Sequence, residues 1–211
     1  MSSTIGSARR NSINAINKDA FILFTRVPVP GRVKTRLMPF LSPGECAALQ
    51  KAMLFDVANT LSTLKGDLFV FYSDEGPVEM LDGLPKKARL YPQEGGDLGE
   101  RMYNAIHKVL ALGYEKCLLL GSDLPFLRGG DVEKARQILE ENDLVLCPSP
   151  DGGYWLVGMH TPIPTVFQKQ KYGTGSVLAD TLELCRKHGF QVGLGPACRD
   201  LDTPEDLKEL L

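Results

Sequence analysis

Short unbroken apolar runs alternate along this chain with longer stretches whose apolar residues recur every three or four positions. The runs AFILFT (20–25), DLFVFYS (67–73), ARLYPQ (88–93), KCLLLGSD (116–123), DLVLCPS (143–149), YWLVGMH (154–160) and FQVGLG (190–195) read as strands. The continuous ones, KCLLLGSD above all, suit strands buried on both faces. Between the first two, Cys46, Leu49, Met53, Leu54, Val57, Leu61 and Leu64 keep helical spacing for about five turns. Met102, Ile106, Val109 and Leu110 mark the inward stripe of a second helix over 97–113, with Gly113 as its C-cap. Segments 131–142 and 175–189 read as two more helices. Ser42-Pro43-Gly44-Glu45 puts Ser42 at an N-cap, Pro43 at N1 and Glu45 at N3 of a capping box. Thr203-Pro204-Glu205-Asp206 starts a short last helix.

Strands alternating with helices at this spacing predict βαβ units and a three-layer α/β/α domain built on a mostly parallel, mixed sheet. No internal repeat or low-complexity linker divides the chain, so 19–211 reads as a single domain. Residues 1–18 are polar, with Arg9, Arg10 and Lys18 and no acid, and read as a flexible tail without the apolar centre of a secretory signal.

Composition narrows the function classes. The 211 residues carry 24 Lys and Arg against 26 Asp and Glu, for a net charge of −2. A nucleic-acid partner calls for a basic excess that this balance lacks, so any anion site is local. No stretch reaches the roughly 18 apolar residues of a membrane span. The five cysteines form no C-x-x-C pair and are odd in number, which suits small buried hydrophobes in a reducing cytoplasm rather than a disulfide framework.

Ligands of an open parallel sheet bind at the carboxyl ends of its strands. After the first strand come Arg26, Arg32, Lys34 and Arg36; after the fourth, Ser122 and Asp123; after the fifth, Asp151, Gly152 and Gly153; after the last, Asp200 and Asp202. Cations leave one strand and acids three others, a plausible cage for a phosphate chain with Mg²⁺ or Mn²⁺. Val33 precedes Lys34-Thr35 where a P-loop needs glycine, and no G-x-G-x-x-G follows the first strand. Recognition of the anion therefore falls to side chains, Arg as a fork and Lys as a point charge. Arg101, in the first turn of the second helix, opposes the helix dipole unless an anion is near. Asp123 ends a buried strand and needs a counter-charge, which a metal would supply. Bland alternatives stand beside each of these: a solvated basic loop, a turn at Ser122-Asp123, a reverse turn at 151–153, and Asp202 or Thr203 as a helix cap.

The segments FTRVPVPGRVKTRL, GDLGERM, LLLGSDLP, DGGYWLVGM and DLDTPEDL occur in this order. Together they resemble the bacterial glycosyltransferase-like proteins of the radical-SAM/selenodomain-associated transferase 1 type, which have the nucleotide-diphospho-sugar transferase (GT-A) fold. The run 34–57 is also similar to phospholactate guanylyltransferases and, more distantly, to molybdenum-cofactor guanylyltransferases. The resemblance implies a nucleotide or nucleotide-sugar at the carboxyl end of the sheet, a divalent metal and a small-molecule acceptor. Lys34 and Arg36 fall on the phosphate-holding stretch of those relatives, Asp123 on their metal-binding acid, and Asp200 and Asp202 on a shared C-terminal segment. Two differences stand out: 26–31 is not glycine-rich, and Gly121-Ser122-Asp123 offers one acid where glycosyltransferases carry Asp-x-Asp.

The first reading is glycosyl transfer from a nucleotide-sugar. In it Arg26, Arg32, Lys34, Arg36 and Arg101, with Ser122, Gly152 and Gly153, hold the nucleotide's phosphates. Asp123 with Asp200 and Asp202 holds the metal, and Asp151 orients the sugar or serves as base. The alternative is nucleotidyl transfer from a nucleoside triphosphate to a phosphorylated substrate, releasing pyrophosphate. A third is a non-catalytic nucleotide-binding module on the same fold. The oligomeric state stays open.

Overall fold

A computed structural model describes residues 18–73, 75–168 and 170–208. The expected tail lies outside the described residues except for Lys18. The elements run β1 (Asp19–Thr25), α1 (Pro43–Ser62), β2 (Asp67–Tyr72), β3 (Arg89–Pro92), α2 (Leu98–Ala111), β4 (Lys116–Gly121), α3 (Gly129–Leu139), β5 (Leu144–Pro148), β6 (Tyr154–Met159), α4 (Val177–Lys187), β7 (Val192–Leu194) and α5 (Pro204–Lys208). Every strand and helix expected from the pattern is present. Three short 3₁₀ turns, Thr35–Leu37, Val78–Leu81 and Pro164–Val166, carry no periodicity long enough to announce them.

The sheet order is β3-β2-β1-β4-β6-β5-β7. β6 alone runs antiparallel, to β4 on one side and β5 on the other. The remaining pairs are parallel. The sheet is thus mostly parallel and mixed, with helices on both faces. Along β1, Ala20, Ile22 and Phe24 point into one core with Met102, Ile106 and Val109 of α2. Phe21 and Leu23 point into the other with Leu54, Val57 and Leu61 of α1 and Val132 and Leu139 of α3. The period of two that sends neighbours to opposite faces is why a central strand must be apolar at every position.

The caps follow the sequence. Glu45 Oε2 accepts from Ser42 N at 2.8 Å and Ser42 Oγ from Glu45 N at 3.3 Å. At α5, Asp206 Oδ2 accepts from Thr203 N at 2.8 Å, so Thr203 rather than Asp202 is the cap. A third, small cluster of Leu37, Cys46, Met53 and Leu201 sits beneath the loop that follows β1. It joins that loop, the start of α1 and the C-terminal segment, three parts of the chain that all border the site. All five cysteines are buried and unbridged. Burial pushes the Cys147 thiol up to about 12, as befits a packing residue.

Candidate active site

The loop after β1 turns back on itself at Lys34, whose φ of 50° and ψ of 37° make it the one described residue other than glycine with positive φ. A side chain in that left-handed conformation costs about 1–2 kcal/mol and persists only where its surroundings hold it. Here Val33 and Leu37 are buried on either side, and the Lys34 side chain is itself 2% exposed. Its Nζ donates to Asp123 Oδ2 at 2.6 Å and to the Leu201 carbonyl at 2.5 Å, and lies 3.7 Å from Asp202 Oδ1. One ammonium therefore ties the β1 loop, the end of β4 and the C-terminal segment together. The Leu201 amide closes the same junction by donating to the Asp123 carbonyl at 2.9 Å.

Each carboxylate oxygen of Asp123 has a partner. Its Oδ1 accepts from Gln50 Nε2 at 2.8 Å and Ser122 Oγ at 3.1 Å. Gln50 also donates to Ser122 Oγ at 2.9 Å, and Ser122 reaches Thr25 Oγ1 at 3.0 Å. Lys34 thus gives Asp123 a counter-charge from within the protein, where the sequence pointed to a metal for it. Gln50 does not stand out in the sequence, although it carries a signal. It is a buried amide on the apolar stripe of α1, between Cys46 and Met53, and such a group needs a partner across the interface.

These residues line one cavity of about 750 Å³ at the carboxyl ends of the parallel strands, with Arg26, Arg36, Arg101, Asp151, Gly153, Asp200 and Asp202 also on its wall. That is a size for a nucleotide-scale ligand. Two expected residues stand off the wall. Arg32 donates to the Glu75 carbonyl at 2.8 Å and, through its own carbonyl, receives Arg26 Nη1 at 3.3 Å. Gly152 faces α4 rather than the cavity. Thr25, Ser73, Gln93, Tyr172 and Thr174 line the wall without having been singled out.

Charge in the cavity is divided. Arg36 Nη1 pairs with Asp202 Oδ2 at 2.5 Å, and Lys34 with Asp123. Asp200 makes no such pair among the described residues. Its carboxyl is pushed up by burial first and by Asp151 next, with a smaller push from Asp202. Asp151 Oδ1 accepts from Gly153 N at 3.0 Å and from the Ser149 hydroxyl, so this acid shapes its own turn as well as the field at Asp200.

Against known proteins, residues 56–174 match the family described as "Uncharacterized protein conserved in bacteria (DUF2064)". That span is more than half of the chain. The chain belongs to the DUF2064 family. It is 30% identical over 185 residues to the 3-phospho-D-glycerate guanylyltransferase of Phenylobacterium zucineum, covering 84% of this chain and 83% of that one. It is 28% identical over 182 residues to the 2-phospho-L-lactate guanylyltransferase of Methanothermobacter thermautotrophicus, covering 84% and 78%. A crystal structure from Desulfovibrio desulfuricans G20, described as a candidate nucleotide-diphospho-sugar transferase, superposes with a TM-score of 0.86 at 32% identity over 92% of this chain and 87% of that one. The DUF2064 chain thus has the nucleotide-diphospho-sugar transferase fold and, by this kinship, is a transferase.

The cage of this DUF2064 protein suits a metal in one way only. Among the described residues no three His, Cys, Asp or Glu side chains converge as a preformed cluster. Asp123 and Asp202 already face cations, while Asp200, half-buried beside Asp151, has negative charge to spare. That donor set fits an ion that takes one or two carboxylates and completes its shell with phosphate oxygens and water, the habit of Mg²⁺. No helix among the described residues is long and apolar enough to cross a membrane.

Gly152 has its own reason. Its φ is +85°, and a Cβ there would sit 2.1 Å from the Gly175 carbonyl oxygen. The Gly152 carbonyl accepts from Leu178 N at 2.9 Å and so caps the start of α4. Gly152→Ala is expected to cost about 2–4 kcal/mol, from the left-handed backbone and the clash together. Urea unfolding measures it; a loss under 1 kcal/mol would mean the two segments part freely.

Proposed function

We propose that the protein is a nucleotidyltransferase: it joins a nucleoside monophosphate, from a guanine nucleotide by kinship, to a small phosphorylated acid and releases pyrophosphate. The observation that carries this reading is that Lys34, Arg36, Asp123 and Asp200 line one cavity of about 750 Å³, with Asp200 close enough to Lys34 to feel its charge. It puts cations for the phosphates, and a carboxylate without an ion-pair partner among the described residues, on the wall of one space that a triphosphate would fill. Relatives named as guanylyltransferases, matched over more than three quarters of both chains, favour it over glycosyl transfer. The radical-SAM/selenodomain-associated type is not needed for it.

In the reaction, a phosphate oxygen of the acceptor attacks the α-phosphorus of the triphosphate. The bond from that phosphorus to the bridging oxygen of the β-phosphate breaks, and the electron pair leaves with pyrophosphate. The acceptor's second phosphate pKa is near 6, so the nucleophile needs no protein base at neutral pH. A sugar-acceptor hydroxyl would need one, which was Asp151's assigned role; in nucleotidyl transfer Asp151 is free to shape its turn. Lys34 and Arg36, with Arg26, place positive charge along the phosphates, where it is worth most in the transition state. Asp123 and Asp200 would hold Mg²⁺ or Mn²⁺, with Asp202 beside them fixing Arg36. When bound, the metal supplies Lewis-acid stabilisation of charge on the α- and β-phosphates. Positioning comes from the protein: Gln50 and Ser122 fix the carboxylate plane of Asp123, and Thr25 fixes Ser122.

The test is direct. Each of the four nucleoside triphosphates, with Mg²⁺ and 3-phosphoglycerate or 2-phospholactate, is assayed for pyrophosphate. Release that requires both substrates, and is fastest with GTP, is expected. Nucleoside diphosphate released from a nucleotide-sugar, with no pyrophosphate from any triphosphate, would return the protein to glycosyl transfer.

A further inference from the structure

One side of the cavity is left unexplained by the nucleotide. Its floor is apolar: Phe24, Met102, Leu119 and Val157 belong to the core on the α2 side of the sheet and also line the cavity. At its edge stands Arg101. The Nε of Arg101 donates to the Gly95 carbonyl at 3.0 Å, which fixes the guanidinium and leaves its two terminal nitrogens. No carboxylate pairs with it among the described residues. The nearby acids are occupied by the turn itself: Glu100 Oε2 accepts from Gly96 N at 2.8 Å, and Asp97 Oδ1 accepts from Glu100 N at 2.8 Å. A cation in the first turn of a helix also opposes the helix dipole.

A second, independent feature marks the same lobe. The hydroxyl oxygens of Tyr154 and Tyr172 are buried beside each other and reach no other hydrogen-bond partner, and both residues line the cavity. Burial leads in pushing both phenols up, Tyr172 to about 12, so both keep their protons and can donate. Tyr172 lies against the start of α2: a Cβ on Gly99 would come within 3.1 Å of its hydroxyl and 2.4 Å of the Phe167 carbonyl oxygen. Gly99 thus lets the Tyr172 segment approach the turn that carries Arg101. Even where one phenol bonds the other, one buried O–H is left without an acceptor, which is costly unless a ligand uses it.

We propose that this lobe is the acceptor subsite, in which Arg101 forks onto the carboxylate of a small phosphorylated carboxylic acid while the spare hydroxyl of the Tyr154–Tyr172 pair donates to its oxygens. The inference rests on the nucleotidyl-transfer reading and deepens it. It moves Arg101 from the nucleotide's phosphates to the acceptor. The apolar floor admits the short carbon body, and the phosphate is left to point toward Asp123 and Lys34.

The experiment uses two probes that differ only in the group Arg101 would hold. 3-Phosphoglycerate carries a carboxylate where glycerol 3-phosphate carries a hydroxymethyl group. Binding of each is titrated calorimetrically to the full chain with Mg²⁺ and α,β-methylene-GTP, which blocks turnover. The wild type should prefer the acid by about tenfold or more. Arg101→Gln should weaken the acid by about 10–100-fold, the range for a charged hydrogen bond, and leave glycerol 3-phosphate and the GTP analogue within about twofold. Tyr172→Phe should weaken the acid by about fivefold. If Arg101→Gln does not fold, Arg101→Lys keeps the charge, loses the fork and should show the same selective loss. Equal binding of the two probes, binding of neither, or loss of the GTP analogue in the variant overturns the assignment. Failure of the GTP analogue to bind the wild type would strike the nucleotidyl reading instead, and the acid-against-alcohol comparison would still decide the subsite.

Discussion

Asp123→Asn is expected to lower nucleotidyl transfer by about 10²–10³-fold, the size seen when one preorganised electrostatic group is removed from a reacting phosphate or carbonyl. The substitution keeps the shape and hydrogen-bonding reach of the side chain, and Gln50 and Ser122 can still bond Oδ1. What goes is the negative charge beside Lys34 Nζ at 2.6 Å, and with it one carboxylate for the metal. Two measurements separate these. Mg²⁺-dependent thermal stabilisation of the nucleotide complex should disappear in the variant, since a bound ligand raises stability by mass action. Stability without ligand should fall only by about 1–2 kcal/mol, because Lys34 keeps the Leu201 carbonyl and Asp202. A variant that retains full Mg²⁺-dependent stabilisation would remove Asp123 from the metal site.

Lys34→Met should be the costlier change for the fold, at about 2–4 kcal/mol. The methionine preserves most of the apolar stem but leaves Asp123 Oδ2 and the Leu201 carbonyl without their donor. Breaking a fully buried pair by removing one partner costs about 3–5 kcal/mol. The Asp123 side chain is 37% exposed, so water recovers part of that. For a chain of this size the loss corresponds to a fall in Tm of about 5–15 °C. The exposed Arg36–Asp202 pair offers a contrast, because such pairs contribute only about 0–1 kcal/mol. In a double-mutant cycle, Lys34→Met and Asp123→Asn should couple by about 1–3 kcal/mol. Additivity would mean that the clasp does not join the β1 loop to β4. The sequence neighbours of Lys34 point to a phosphate ligand and carry no sign of this structural share of its work.

The site was partly legible. Strand-end positions identified Lys34, Arg36, Asp123, Asp151, Asp200 and Asp202, since a parallel sheet gathers its strand ends along one edge whatever the strand order. Gln50 was passed over because a single polar residue on an apolar helical stripe does not disturb the periodicity that reveals the helix. Arg32 and Gly152 read as ligand-facing in the sequence because cations and glycines on a turn look alike before the turn's direction is known. Arg32 turns to the Glu75 backbone and Gly152 to Gly175.

By itself the sequence determined the elements, their caps and the sheet's mixed α/β character, since these depend on local spacing: periods of two and near 3.6, and capping residues within four positions. Only the tertiary structure decided which strand ends meet. The order β3-β2-β1-β4-β6-β5-β7 brings Lys34 to Asp123 across 89 positions and to Leu201 across 167. Whether a charged side chain is a free ligand or half of a clasp depends on what lies within about 3 Å of it, and local sequence spacing does not encode that distance.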